Sequence, residues 1–336
     1  MPAWTLLPAS EAPLEAVTRL PGATFFHSAR WCRVLERGFG RPVTVALLGD
    51  DPAAPLAAWP AVRLKVGPVQ MLYGVFPKGN FAGSAEAVAA HLDGLRDACR
   101  RAGAHMVRLI ACEDDAVRTL PGGRCASHVR HVLDLAGQTP ESLWAGYAKN
   151  IRRDVRVPQK AGLVARPMRR DEFPAFHRMM TQVFVRNAAA TGLTPAFYEA
   201  VWDELVPDGV AEFLVADKDG EPRAAIVGIH DADTTYYFAG CSLTEALRDG
   251  PNDLLVHTLI ASAARRGARQ FDMLSSDAAD AGLIRFKAKW GAQARPFDVL
   301  EWWFSSWRRS LWDAAMAVAR HRSAAAAIRW IRGQRG

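Results

Sequence analysis

"LRDACRRAGAHMVRLI" occupies residues 95–110 and "LIASAARRGARQFDML" occupies residues 259–274. Each reads as the end of an amphipathic helix, an Arg-Arg pair, a glycine stop and a strand. The two glycines, Gly103 and Gly267, stand 164 positions apart. Upstream, "LAAWPAVRL" (56–64) parallels "RAAIVGIHD" (223–231) at an offset of 167, and "MLYG" (71–74) answers "YFAG" (237–240) at 166. Three matches at nearly one offset predict a unit that occurs twice.

The second copy is the more legible. "AEFLVADKDG" (211–220) is a strand entering a Lys-Asp-Gly turn, a hairpin signal. "EPRAAIVGIHDADTTYYFAG" continues as strand, Asp-Ala-Asp turn and strand. "LRDGPNDLLVHTLIASAARRG" then reads as a helix with Pro251 as its first residue and Gly267 after its end, and "RQFDML" is a strand. Hairpins followed by a helix and a further strand make an α+β pattern of mixed sheets flanked by helices, not a run of βαβ units. The expected boundaries are a first domain at 1–137, a second at 138–304 and a C-terminal basic segment at 305–336. Between the copies, "TPESLWAGYAKNIRRDVRVPQKAG" is helical, with Pro158 interrupting or kinking it. In the C-terminal segment Trp307, Leu311, Ala315 and Val318 fall on one helical stripe.

The composition, 50% hydrophobic and 23% charged over 336 residues, is that of a soluble globular chain. No apolar run reaches the roughly 18 residues of a spanning helix, and the start lacks a basic then apolar signal pattern, so a cytoplasmic location is expected. Five cysteines with no CxxC spacing fit neither a disulfide framework nor a zinc site. His128 and His131 sit three apart in an expected strand and point to opposite faces, so no metal site is expected. Charge is clustered. Residues 149–170 carry eight basic side chains against Asp154, and residues 305–336 carry seven arginines against Asp313. Such clusters suit phosphates, RNA or lipid headgroups, and equally a solvated basic helix face.

"FFHSARWCRVLERGFG" near the start, "LWAGYAKNIRRDVRVPQKAGLVARPM" in the middle and "LIRFKAKWGAQARPF" near the end occur in that order. Together they resemble the Fem-type aminoacyltransferases and their relatives, the BioF2-like acetyltransferases of the GNAT superfamily, over roughly residues 24–300. The resemblance implies two tandem GNAT-like domains and transfer of an acyl or aminoacyl group to an amine. The donor it implies is acyl-CoA or aminoacyl-tRNA, used as substrate rather than as a bound cofactor. The acceptor it implies extends to a cell-envelope or peptidoglycan-type precursor. It also carries an aromatic beside the donor's terminal nucleotide and a lysine near the reacting carbonyl onto Phe286 and Lys287. The chain lacks the coiled-coil arm of some Fem proteins, and "LRDGPND" has a single glycine, Gly250, where a GNAT pyrophosphate loop would be glycine-rich.

Acyl transfer to an amine needs a neutral amine, a held carbonyl and a stabilised oxyanion, with no nucleophilic side chain. No GxSxG and no legible Cys-His pairing occurs, so direct attack without a covalent enzyme intermediate is expected. Lys287 is the candidate oxyanion charge, expected to matter to turnover more than to folding; the bland alternative is a surface lysine. Tyr237, or its neighbour Tyr236 on the opposite strand face, is a candidate acid for the leaving group. Asp272 is a candidate for ordering the amine, or a buried structural carboxylate. Phe286 can stack on a base or pack in the core. Lys149, Arg152 and Arg153 share a helix face that can clamp phosphates. Arg186 is a candidate for an anionic acceptor, and Gly250 with the following helix N-terminus is a generic anion site. The segment 305–336 is expected to be a basic amphipathic helix able to touch an anionic membrane. A rival of another class is a non-catalytic RNA- or membrane-surface-binding protein that retains the fold.

Overall fold

The Lys-Asp-Gly stretch forms the expected hairpin: Asp219 and Gly220 both take positive φ, at 57° and 83°, and the Gly220 N–H donates to the Asp217 carboxylate at 2.9 Å. A turn with two left-handed residues matches the right-handed twist of its strands. The computed structural model describes residues 2–74, 81–110, 123–186, 193–276 and 281–320. The strands are β1 (Ala3–Pro8), β2 (Val43–Gly49), β3 (Ala57–Val66), β4 (Val69–Gly74), β5 (Ala82–Gly83), β6 (Met106–Ile110), β7 (Arg124–Asp134), β8 (Val164–Pro167), β9 (Ala211–Lys218), β10 (Glu221–His230), β11 (Thr234–Ser242), β12 (Gln270–Ser276) and β13 (Gln293–Trp303). The helices are α1 (Leu14–Val17), α2 (Ala29–Phe39), α3 (Ala85–Ala90), α4 (Leu92–Arg101), α5 (Pro140–Gly146), α6 (Lys149–Lys160), α7 (Phe173–Arg186), α8 (Pro195–Leu205), α9 (Pro251–Arg265), α10 (Ala281–Ala288) and α11 (Ser306–Arg320).

Two compact units result. The first holds Met1–His128 with Pro296–Val318, and the second is built on Val129–Arg295. In the first, β1 to β4 form an antiparallel meander; β4 then runs parallel to β6 over Met71–Tyr73, and β6 pairs antiparallel with the end of β13. In the second, β8 to β11 form the meander, β11 runs parallel to β12 over Thr234–Tyr236, and β12 pairs antiparallel with β7. The connectivity is the same in both, and the parallel pairs start at Met71 with Met106 and at Thr234 with Gln270, offsets of 163 and 164. The duplication expected from the sequence is present.

The boundary differs from that expectation. Residues 129–134 of β7 complete the second unit's sheet, although a break at 137 assigns them to the first domain. Residues 296–303 of β13 complete the first unit's sheet, although a second domain of 138–304 claims them. Each sheet ends on a strand encoded in the other half of the sequence. Both strands are non-local partners, so nothing in their neighbourhood marks where they belong.

The second unit is organised by α9. Gly250 is its N-cap in a left-handed conformation (φ 67°), which favours glycine, and Pro251 opens the helix without wasting a donor. Leu254, Leu255, Leu259 and Ile260 are all buried, with Ile226, Val155, Phe271 and Trp290 around them. Burial of each such aliphatic chain stabilises by about 1.5–3 kcal/mol. Gly228 lets Leu259 approach β10: a Cβ there would stand 2.5 Å from Leu259 Cδ1. On the other sheet face, α7 and α8 pack Phe176 against Tyr198 and Phe213, with ring centroids at 5.1 and 5.7 Å. The helix expected over 139–162 breaks at Tyr147–Ala148 into α5 and α6, and Pro158 is tolerated in the last turn of α6.

Candidate active site

Two β-bulges open the second unit's sheet. In β11, Val227 pairs with Ala239 and Gly228 with Tyr237, so Phe238 is the extra residue. In β12, the register on β7 jumps from Asp272–Val132 to Ser275–Arg130, so Met273 and Leu274 together oppose His131. The parallel pairing of β11 and β12 runs from Thr234–Gln270 to Tyr236–Asp272 and is not continued beyond it among the described residues. Bulges bend strands and re-aim side chains, and they concentrate beside active sites.

The β12 bulge is held by charge. Leu274 takes φ 56°, a left-handed conformation uncommon for leucine. Its N–H donates to Asp272 Oδ1 at 2.8 Å, and Asp272 Oδ2 accepts from Arg130 at 2.5 Å. Asp272 is fully buried. From α10, Lys287 Nζ donates to the carbonyl oxygens of Leu274 and Ser275, each at 3.0 Å. Lys287 is only 2% exposed, so the surface-lysine alternative is ruled out. Its ammonium is bound to backbone at the bulge, which gives it a part in holding the fold. Asp272 takes the structural alternative: a buried carboxylate that caps a strained turn and neutralises Arg130. His131 lies against the same bulge, buried, with no hydrogen-bond partner for Nδ1 among the described residues. Burial first, and then the Lys287 charge, hold its pKa below the ordinary 6.5, against the pull of Asp272.

Tyr237 is on the other face of the sheet from Asp272. It packs with Phe271 and Met273 on the α9 side, whereas Asp272 alternates away from Phe271. The Tyr237 hydroxyl lies over Gly240, where a Cβ would come within 2.2 Å of it. Burial pushes the phenol well above its ordinary 10, so it stays protonated. Tyr236 is buried on the opposite strand face. Phe286 is half-buried against the α9 core and carries the Lys289 ammonium 5.0 Å from its ring centroid, so packing accounts for this ring. Trp290 is core, at 3% exposure.

The N-terminus of α9 is not a phosphate cradle. Pro251 has no N–H, and the Asp253 N–H is spent on the Gly250 carbonyl at 3.1 Å. The Asp253 carboxylate meets Lys289, and Asp154 reaches the same ammonium at 3.6 Å. A Cβ built on Gly250 would stand 3.8 Å from Pro158 Cδ and 4.0 Å from the Asp154 carbonyl oxygen of α6, ordinary contact distances. The site expected at Gly250 thus lacks the Pro251 and Asp253 donors, and the Asp253 and Asp154 carboxylates near it share the Lys289 ammonium. Basic side chains collect instead on α6. Lys149, Arg152, Arg153, Arg156 and Lys160 line an open groove of about 780 Å³. Arg152 donates to the Ala145 carbonyl at 3.1 Å, Arg153 pairs with Asp154 at 2.9 Å, and Arg156 lies 5.2 Å over the Trp144 ring. Arg186, exposed at the end of α7, donates to Thr244 Oγ1 at 3.2 Å beyond β11.

Lys287 and Asp272 are thus brought together at the β12 bulge, Tyr237 stands on the opposite sheet face where β11 parts from β12, and Arg186, Gly250 and the α6 cluster lie elsewhere in the unit. Arg130 and the Asp154–Asp253–Lys289 group were not singled out from the sequence. His131 was considered only as a metal ligand. Among the described residues no group of three or more His, Cys, Asp or Glu gathers in a way that can hold a metal.

Residues 145–288 match the acetyltransferase (GNAT) domain family Acetyltransf_6. No curated protein matches the chain. Among solved structures, FemX matches with a TM-score of 0.66 at 16% identity, over 88% of this chain and 96% of FemX. L-PGS from Bacillus licheniformis matches at 0.59 and 14% identity, over 92% of this chain and 95% of its own. A tandem GNAT protein from the clavulanic acid biosynthesis pathway matches at 0.55 and 12% identity, over 90% and 98%. At these identities the likeness to each structure is one of fold, and it spans both units.

Proposed function

We propose that this N-acyltransferase, with its GNAT acetyltransferase domain at residues 145–288, places the acyl donor in the opening between β11 and β12 and passes the acyl group directly to an amine. The observation that carries the reading is that opening: two adjacent strands that pair at Tyr236–Asp272, each bulge, and leave β11 backbone beyond Tyr236 unpaired with β12. Exposed strand backbone can pair with amide groups of an extended donor arm as it would with a further strand. Its N–H groups can hold the carbonyl and stabilise the oxyanion without reorganisation.

The roles follow from the contacts. Lys287 and Asp272 are positioning residues that hold the β12 bulge, through the Leu274 and Ser275 carbonyls and the Leu274 N–H. Tyr237, kept protonated by burial, is the group suited to give a proton to the departing thiolate or ribose oxygen. The amine nitrogen forms the new bond to the acyl carbon and the bond from that carbon to sulfur or oxygen breaks; the proton the amine loses restores the Tyr237 hydroxyl, whose own proton has passed to the departing sulfur or oxygen. The thiol of Cys241 is pushed far up by burial, which supports direct attack rather than a thioester on the enzyme.

Phosphates of the donor are assigned to the α6 face, with Lys149, Arg152 and Arg153 among its cations, because the α9 N-terminus carries Asp253 and Asp154. Those carboxylates weigh toward an aminoacyl-tRNA donor over acyl-CoA, whose pyrophosphate would meet them at the helix N-terminus. The acceptor is an amine, with a cell-envelope precursor as the class to try first and Arg186 as the cation near the end of β11. The compartment in which it works is taken to be the cytoplasm; no described helix is long and apolar enough to cross a membrane. No observation favours the non-catalytic alternative.

The test is a melting series with acyl-CoA and with charged tRNA, followed by transfer of labelled acyl group to amine acceptors. A donor at a hundred times its Kd adds about 2.7 kcal/mol to stability. Stabilisation by charged tRNA and labelled product support the proposal. Stabilisation by acyl-CoA alone overturns the donor assignment, and binding without turnover across both donors favours the non-catalytic reading.

A further inference from the structure

A buried base stands unused at the β12 bulge. His131 of β7 is 3% exposed, and its Nδ1 has no hydrogen-bond partner among the described residues. Its charged neighbours are committed. Asp272 accepts from the Leu274 N–H and from Arg130, and Lys287 donates to the Leu274 and Ser275 carbonyls. Leaving a buried polar atom unpartnered is costly, so such an atom in a native chain calls for a use.

The register places the ring. The extra residue of the bulge belongs to β12, so β7 alternates regularly from Leu133 to Arg130. Leu133 packs on the α9 cluster, and His131, two residues on, shares its sheet face. Met273 of β12 and Tyr237 of β11 belong to that same face. The pairs Tyr236–Asp272 and Asp272–Val132 then set Tyr237, Met273 and His131 at one level on three successive strands. Two strand spacings separate the Tyr237 and His131 backbones by about 10 Å.

The reaction has a proton that Tyr237 does not handle. An alkylamine is an ammonium near neutral pH and must become the free amine before it attacks. Tyr237 still carries its own proton at that stage, and Asp272 lies on the other sheet face. Burial and the Lys287 charge from α10 keep His131 neutral against the pull of Asp272 on β12, and Arg130 beside it on β7 is paired with Asp272. A neutral imidazole can accept.

We propose that His131 is the base that takes the first proton of the acceptor, with the amine entering on the α9 face between His131 and Tyr237. The inference rests on the acyl-transfer reading and on Tyr237 as the acid. Nδ1 takes one proton from the ammonium, leaving imidazolium and free amine. The amine attacks the acyl carbon, and its second proton restores Tyr237. The imidazolium, beside the Lys287 ammonium, gives its proton to solvent when the amide leaves. The acceptor is thereby an alkylamine basic enough to arrive protonated, such as a lysine-like side chain.

The experiment measures kcat/KM from about pH 6 to about 9.5 for the wild type and His131→Gln, with labelled acetyl-CoA and with tRNA charged with labelled amino acids. Lysinamide is the acceptor that arrives as an ammonium, and hydroxylamine is one already neutral. The wild type should be level with lysinamide above an acid limb lying below 6.5. The variant should rise about tenfold per pH unit, stand on the order of a hundredfold lower near pH 7 and meet the wild type at the alkaline end. With hydroxylamine the two proteins should agree within a few-fold. A loss equal for both acceptors at every pH, or no loss, overturns the base. Where melting shows that the variant is unfolded, the wild-type profile decides: a tenfold rise per pH unit to the alkaline end overturns the base, and a level one supports it. Absence of wild-type transfer to both acceptors from both donors overturns the acyl-transfer reading, and the base with it.

Discussion

Lys287 changes meaning once its partners are known. A free surface lysine costs almost nothing to remove, but here two backbone carbonyls depend on its ammonium. Lys287→Ala should lower unfolding free energy by roughly 2–4 kcal/mol, because each orphaned buried acceptor costs about 1–3 kcal/mol. Denaturant titration checks this; a loss below about 0.5 kcal/mol would mean that the carbonyls find other donors. Tyr237→Phe is the cleaner probe of chemistry. It keeps the ring over Gly240 and removes only the acid, so turnover should fall on the order of a hundredfold or more with the melting temperature held. Full activity of the phenylalanine variant would remove Tyr237 from the reaction. Gly240→Ala should also cripple turnover, since its methyl and the Tyr237 hydroxyl cannot share the space.

At the level of elements, the helix α9 and the hairpins were legible and the bulges were not. Gly250-Pro251 announces a helix start by its own backbone chemistry, and Asp219-Gly220 announces a turn. "QFDMLSS" reads as an ordinary strand, because a bulge adds one residue without altering composition. Leu274 in a left-handed conformation is the least readable of all, being held by Asp272 two residues back and by Lys287 from α10. Lys287 was singled out from the sequence, but its burial and its hold on the Leu274 and Ser275 carbonyls were not readable from its short helix α10. At the α9 N-terminus the sequence showed the glycine but not that Asp154 would arrive from α6. Replacing both Asp154 and Asp253 by asparagine should remove the repulsion there and raise affinity for CoA relative to the unaltered chain. Unchanged CoA binding by calorimetry would mean that those carboxylates do not govern donor choice.

For the molecule as a whole, three histidines of the second unit, His131, His177 and His257, are held below their ordinary 6.5 chiefly by burial. The unfolded chain therefore takes up protons near pH 6.5 that the folded chain refuses. Unfolding then binds protons, so stability is greatest above that pH and falls as pH drops from about 7.5 toward 5. Guanidinium titrations across that range should show the decline. His257→Phe, in a pocket of Trp144 and Tyr147 rings, should flatten it. A rise in stability on acidification would contradict the assigned direction.

The reciprocal placement of β7 and β13 carries a consequence for biosynthesis. The first unit's sheet lacks its last strand until residues 299–303 have left the ribosome, although its other strands are complete by Ile110. A nascent chain of about 140 residues thus carries an unfinished edge at β6, a template for wrong pairing. Cutting the gene at residue 137 should yield two products that aggregate alone. Co-expressed, each fragment would return the strand its counterpart is missing, and solubility should recover only then.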